Sequence, residues 1–517
     1  MEPSELKFIS IFNDVLGPVM RGQSSSHTAG SFYIAKLLRE ITGGTPSEAI
    51  FTFDPDGSYA RVFQAQGSDL AFAAGLMGWT ITDERFHKAL EIAEQNLLLR
   101  FLVSPFPEAD HPNSVKVTLR SKEGKNVTAL AKSIGGGAVK IYRLNEWDVD
   151  LDGKNHVILV PCTETNVADL RALLETFLLG ITIQKRDHQV LLNATLRSPI
   201  DPAILSKIES LSSADEVWLS SPLVFPKNGE QIFSSAEEIR RIADEEDMSL
   251  GKIALRYESA LLGLSEEECL DEMKKRSRIM LDSIQSGFQD KQVHMQLLEP
   301  SAFRIDKAIK KNAVAIGGPH AEAAARALAV MHTANSMGIV CAAPTGGSAG
   351  VLPGVISILI KEKNLDETHA VMALFAAGAV GLILAFRATF AAEIAGCQVE
   401  IGAAGAMGAA AVVDAAGGRV EQALDAAAIS FQNTMGSVCD LVQGICEIPC
   451  HTRNAVAASS SFICADLILG GYQNPIPLDE TIDAVFSSGK MLPAELRCTS
   501  LGGLAVVPSA LHLKKKG

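Results

Sequence analysis

From about residue 321 onward the chain is dominated by alanine and glycine and carries few charges, most densely over 321–329, 371–385 and 403–416. Small residues at this density let helix backbones approach closely, so they predict a tightly packed helical region with fully buried central helices. Residues 370–386 run for 17 positions without a charge and end at Arg387. That is short of the roughly 20 apolar residues a membrane span needs, and a buried helix is the expectation.

A chain of 517 residues is too long for one core and predicts two to four domains. With 47% apolar and 21% charged residues the composition is globular. A net charge of −14 argues against nucleic acid and against an anionic membrane surface as partners. The opening Met1-Glu2-Pro3-Ser4-Glu5 shows neither a basic nor an apolar leader pattern, and a cytoplasmic protein is expected. The nine cysteines are an odd number and predict reduced thiols, several of them plain core residues.

The expected fold class is multidomain, in three regions. Residues 1–153 read as an α+β domain, with an amphipathic helix over 6–20 and strands over 49–53 and 114–119. Residues 154–228 read as βαββαβ: strand 157–161, helix 166–179, strands 181–186 and 190–196 around Asp187-His188-Gln189, helix 202–211 and strand 216–219. This is the split-βαβ plan of small ferredoxin-like domains, and it resembles the ACT family in topology alone. A linker with Pro222, Pro226 and Gly229 follows, and 229–517 reads as an all-α domain opening with charged, amphipathic surface helices over 234–286.

Three places offer chemistry. Cys397, Cys439, Cys446 and Cys450 fall in the last third, and the 42 and 11 residues separating Cys397, Cys439 and Cys450 match no zinc finger and no ferredoxin run. From the residues alone, both structural cysteines and soft-metal ligands stay open. The loop Ala343-Pro344-Thr345-Gly346-Gly347-Ser348-Ala349-Gly350 is either an anion nest of backbone N–H groups or a tight interhelical turn; it lacks the Lys of a phosphate-binding loop. Ser24-Ser25-Ser26-His27-Thr28 sets four hydroxyls around an imidazole, able to hold a small carboxylate and shuttle a proton, or equally to cap a helix beside a surface histidine.

Taken together the motifs resemble the bacterial iron–sulfur L-serine dehydratases over nearly the whole chain. Beta-type similarity lies in Leu16-Gly17-Pro18-Val19-Met20, the serine loop through Gly30, Gly67-Ser68-Asp69, His111-Pro112-Asn113 and Ser133-Ile134-Gly135-Gly136-Gly137. Alpha-type similarity lies in Ala342-Ala343-Pro344-Thr345, Gly350-Val351-Leu352-Pro353-Gly354, Gly396-Cys397-Gln398-Val399-Glu400, Val438-Cys439-Asp440, Ile448-Pro449-Cys450, Arg453-Asn454 and Leu492-Pro493-Ala494-Glu495-Leu496-Arg497. The resemblance implies a fusion of both parts and a 4Fe–4S cluster on Cys397, Cys439 and Cys450, with one iron left open to act as a Lewis acid on the serine hydroxyl. It implies His27 as the base, and Ser24, Ser25, Ser26, Thr28, Thr345, Gly346, Gly347 and Ser348 as the residues that hold substrate. Pyruvate and ammonia are the implied products, formed without pyridoxal phosphate, in amino-acid catabolism feeding gluconeogenesis. A homodimer is expected by likeness to ACT domains.

The chain departs from the family at Gln23, usually Pro, and at Gln66, usually His. It departs again at Gly346-Gly347, at His332-Thr333-Ala334-Asn335, where relatives commonly carry Glu-Val-Asn, and at Cys498, usually acidic. These changes surround the expected pocket and keep other readings open: a cysteine desulfidase-like lyase, a dehydratase of threonine or another β-hydroxy amino acid, or a degenerate amino-acid sensor. Cys498 is open between a cap on the iron and a bystander, and Cys446 reads as a bystander.

Overall fold

The computed structural model describes residues 8–212, 217–289 and 293–516. The N-terminal pentapeptide and the positions Leu6, Lys7 and Glu216 lie outside them. The packing divides the chain into two units, 26–228 on one side and 8–25 with 229–516 on the other. Where the sequence groups 1–153 together, the described stretch 8–25 packs with the helical unit.

In unit 26–228, the strand Glu48–Phe53 alternates faces, burying Ala49, Phe51 and Phe53. It sits second in a six-stranded sheet ordered Leu98–Val103, Glu48–Phe53, Ser114–Arg120, Asn126–Gly135, Ala138–Leu144 and Trp147–Leu151. The first pair is parallel and the others antiparallel. Phe51 packs on Phe72 of the helix Ser68–Leu76 with ring centroids 4.2 Å apart, joining sheet to helix.

A second sheet in this unit has the order Trp218–Ser220, His156–Cys162, Gln189–Leu196, Leu178–Arg186, all antiparallel. The helices Val167–Leu174 and Pro202–Leu211 bury Leu170, Leu174 and Ile208 against Ile158, Val160 and Leu192. The first of these helices is shorter than the 166–179 its pattern predicts. Leu178–Gly180 are drawn into the ladder with Gln189–Leu196, and pairing there outweighs helix propensity.

The helical unit contains the expected buried helices. Glu367–Arg387 is long and apolar enough to cross a membrane by composition, yet it is mostly buried within this unit. Ile401–Ala415 is enclosed from Ile401 to Val413. Glycine permits the close packing: a Cβ on Gly287 would lie 1.7 Å from the backbone oxygen of Ala329, and one on Gly381 would lie 2.1 Å from Cγ1 of Val15.

Two expectations are corrected. The 6–20 segment is no amphipathic helix; its described part forms a single π turn, Ile11–Val15, followed by the strand Val19–Arg21. The buried carboxylate of Glu258 accepts from Ile11 N at 2.7 Å, Phe12 N at 2.9 Å and Ser10 Oγ, pinning the start of the turn, and Gly17-Pro18 breaks the pattern. The 229–517 region is helical but not all-α. Ile339–Cys341 pairs with Val19–Arg21, and Cys439–Asp440 pairs with Arg497–Thr499. The alanine-rich helices leave the polar loops to meet through these short ladders.

Candidate functional site

In the helical unit the three separated cysteines come together, each by a local device. Cys397 opens a tight turn, Cys397–Val399, after Gly396. Gly396 has φ +78°, and a Cβ there would lie 2.6 Å from the backbone oxygen of Ser437, so only glycine lets the Cys397 turn reach the loop of Cys439. Buried Gln398 ties the two segments further, accepting from Gly436 N at 2.8 Å. Cys439 lies in the short parallel ladder with Arg497–Thr499, and Cys450 begins the helix Cys450–Leu469.

Cys397, Cys439 and Cys450 are all buried. The ligand atoms of Cys397, Glu400 and Cys439 lie within 4.8 Å of one another. The Cys439 thiol rises well above its ordinary pKa through its hydrogen bonds with Cys397 and Cys498, with burial adding to it. The Cys450 thiol is raised first by Cys446, then by burial and by the charges of Cys446, Cys397 and Glu400. Crowded thiols that resist ionisation are the condition a bound cation relieves.

Around the thiols stand residues to which the sequence assigns no role. Arg453, one helical turn beyond Cys450, donates to Cys397 Sγ at 3.5 Å and to the Val438 carbonyl at 2.7 Å, and it pairs with Asp440 at 3.0 Å. Asn454 donates to the carbonyls of Gly347 at 2.8 Å and Cys450 at 2.9 Å and accepts from Gly350 N at 3.1 Å, fastening the glycine loop to the cysteine helix. Glu400 accepts the Thr345 hydroxyl, and burial raises its carboxyl to about 7 against the smaller pull of Thr345. Their signals in the sequence are their place in the Gly396–Glu400 and Arg453-Asn454 motifs and their spacing: Glu400 follows Cys397 by three, and Arg453 and Asn454 follow Cys450 by three and four.

The Thr345–Ser348 loop folds as a capped turn in which Ser348 Oγ accepts from Thr345 N at 3.2 Å. A Cβ on Gly347 would meet Glu400 Oε1 at 2.6 Å, and one on Gly346 would lie 3.3 Å from Gln23 O and Ser25 N. The stretch Gln23–Ser25 therefore lies against this loop. Gln23 is buried, and its Oε1 has no hydrogen-bond partner among the described residues.

Ser26, His27 and Thr28 belong to the other unit. There His27 bonds Ser26 Oγ through Nδ1 at 3.1 Å and Ser58 Oγ through Nε2 at 3.0 Å, and burial lowers its pKa to about 4. Thr28, fully buried, donates to the Gln66 carbonyl at 2.8 Å. In the helical unit, His332 stands against His451, the residue after Cys450, with ring centroids 5.3 Å apart and both side chains buried. Cys446, read as a bystander, and Cys498, open between a cap and a bystander, bring their thiols to Cys450 and Cys439 respectively. Cys498 has φ +59° and is the extra residue where the ladder shifts register between Cys439↔Arg497 and Asp440↔Thr499.

The sequence model for the serine dehydratase alpha chain matches residues 237–505, just over half of the chain. The chain belongs to the serine dehydratase alpha chain family. The family region contains Thr345, Cys397, Glu400, Cys439, Cys450 and Arg453. A probable L-serine dehydratase alpha chain of Bacillus subtilis is 34% identical over 285 residues, 55% of this chain and 95% of the relative. The L-serine dehydratase alpha chain of Peptoniphilus asaccharolyticus is 33% identical over 275 residues, 53% of this chain and 94% of the relative. A probable L-serine dehydratase beta chain of Bacillus subtilis is also similar, 32% identical over 221 residues, 41% of this chain and 98% of the relative.

Proposed function

We propose that this chain is an L-serine dehydratase, a carbon–oxygen lyase giving pyruvate and ammonia, with the alpha-like and beta-like parts fused in one cytoplasmic polypeptide. We propose a 4Fe–4S cluster on Cys397, Cys439 and Cys450 as its cofactor, with no pyridoxal phosphate. The observation that carries this reading is that the buried thiols of Cys397 and Cys439 lie within 4.8 Å of each other and of the Glu400 carboxyl, with buried Cys450 close enough to feel the charges of Cys397 and Glu400. Three soft sulfur donors in a water-poor setting fit an iron–sulfur group, and the neighbouring carboxyl suits proton transfer.

When bound, the cluster supplies a Lewis-acidic iron that polarises the serine β-hydroxyl. The chain's own residues bind and move protons. In the loop that Thr345 and Ser348 shape, the N–H groups of Gly346 and Gly347, with Ser24 and Ser25, hold the substrate carboxylate, and the buried Gln23 Oε1 accepts from its ammonium. Glu400 Oε1 is occupied by the Thr345 hydroxyl, which leaves Oε2 to carry a proton to the departing oxygen; a pKa of about 7 keeps that proton available at neutral pH. His27, kept neutral by burial, is assigned as the base for the α-proton, with Ser26 and Thr28 beside it in the same motif. Loss of water leaves 2-aminoacrylate, which tautomerises to the imine and hydrolyses to pyruvate and ammonia.

The second sheet and its two helices have the strand order of a ferredoxin-like domain, and we read it as ACT-like. Its edge strand Leu178–Arg186 exposes Leu179 and Ile183, which supports a homodimer formed through this domain. Sedimentation of the full chain tests that; a monomer at micromolar concentration rejects it.

Anaerobic turnover decides the substrate. Pyruvate from L-serine, with a smaller yield from L-threonine, supports the reading, whereas sulfide from L-cysteine alone moves the assignment to a desulfidase-like lyase. A colourless protein without iron after reconstitution favours an amino-acid sensor.

A further inference from the structure

We infer that Arg453 is the positioning residue that draws the three cysteine segments into register and sets the electronic character of the group they hold; this rests on the cluster reading above. Arg453 lies on the same helix face as Cys450, one turn on. From there its fork reaches both other segments. Nη1 donates to Cys397 Sγ at 3.5 Å and to the Val438 carbonyl at 2.7 Å, while Nη2 meets Asp440 Oδ1 at 3.0 Å. Val438 and Asp440 flank Cys439, so one guanidinium is bonded to Cys397 directly, to Cys439 through its neighbours and to Cys450 through the helix.

The arrangement is anchored from behind. Asp440 Oδ2 accepts from Leu504 N at 2.8 Å, which fixes the carboxylate that fixes the fork. A lysine in this place keeps the charge but cannot make the forked contacts together. Three thiolates gathered in one place repel, and a cation with an N–H directed at sulfur offsets that repulsion. Both the hydrogen bond and the positive charge favour the reduced form of an iron–sulfur group, so they raise its potential.

The test compares anaerobically purified full-length wild type, Arg453→Gln and Arg453→Lys, with the exposed-site variant Arg419→Gln as control. Iron per chain is followed under a competing chelator, and the midpoint potential of the retained cluster is read by electron paramagnetic resonance. We expect Arg453→Gln to retain iron about 10–100-fold less well, with the potential of what remains shifted to more negative values. Arg453→Lys should keep a potential near wild type and retain iron to an intermediate degree. A loss of iron with an unmoved potential in Arg453→Gln overturns the assignment, because any disordering of the loop does that; wild-type retention overturns it too. If Arg453→Gln takes up no iron, the lysine variant decides: loading at the wild-type potential supports the assignment, and a lysine variant equally empty overturns it. A wild-type chain without iron overturns the cluster reading and this inference with it, whereas a loaded wild type matched by Arg453→Gln overturns this inference alone.

Discussion

Thr345 donates its hydroxyl proton to Glu400, across 55 residues of sequence, and thereby joins the glycine loop to the cysteine turn. The bond occupies one carboxyl oxygen and leaves the other for chemistry. Removing the titratable proton while keeping the shape isolates that role. Glu400→Gln should lower kcat for L-serine by about 10²–10⁴-fold with iron content unchanged, as read by anaerobic pyruvate formation and iron analysis. Near-wild-type turnover would remove Glu400 from the mechanism.

Cys439 sits between the thiols of Cys397 and Cys498. Cys439→Ala should lose iron and serine turnover together, measured as iron per chain, visible absorbance and pyruvate. An active variant carrying no iron rejects the three-thiolate site.

His27 gives a pH signature of stability. Its pKa is about 4 in the folded chain, against 6.5 when exposed, because burial disfavours the imidazolium. Between those values the unfolded chain binds a proton that the folded one does not, so stability falls as pH drops from 6.5 towards 4, by roughly 3 kcal/mol at most. His27→Gln should flatten the dependence of the urea midpoint on pH over that window. Superimposable slopes would contradict the burial argument.

Gly287 has no space for a side chain, since a Cβ would overlap the Ala329 carbonyl, a backbone atom that cannot rotate away. Gly287→Ala should destabilise by about 1–3 kcal/mol or more, seen as a lower denaturation temperature. An unchanged melting curve would mean that the helices Glu266–Gly287 and Pro319–Asn335 separate without cost.

Much of this was legible in the sequence. Alanine and glycine density pointed to the buried helices, and strand-like patterning, alternating in the second case, located Glu48–Phe53 and Ser114–Arg120 to within a residue. The pairing of polar loops was not legible. Cys498 reaches Cys439 because of a register shift in a three-residue strand, and no local pattern encodes that. Nor does any periodicity announce that residues 8–25 pack with the helical unit: Glu258, which captures Ser10, Ile11 and Phe12, lies 246 to 248 positions away. Glu400 and Arg453 were visible as letters in motifs, while their work depends on partners folded in from elsewhere.

The ladder between Cys439–Asp440 and Arg497–Thr499 bears on how the protein is made. The strand that braces Cys439 is synthesised after all three of Cys397, Cys439 and Cys450, and Leu504, which anchors Asp440, follows it. A nascent chain therefore carries Cys397, Cys439 and Cys450 before the strand that encloses Cys439 exists. A chain stopped before residue 497 has every proposed ligand yet lacks the strand that braces Cys439, so ligand content alone is not enough to build the site.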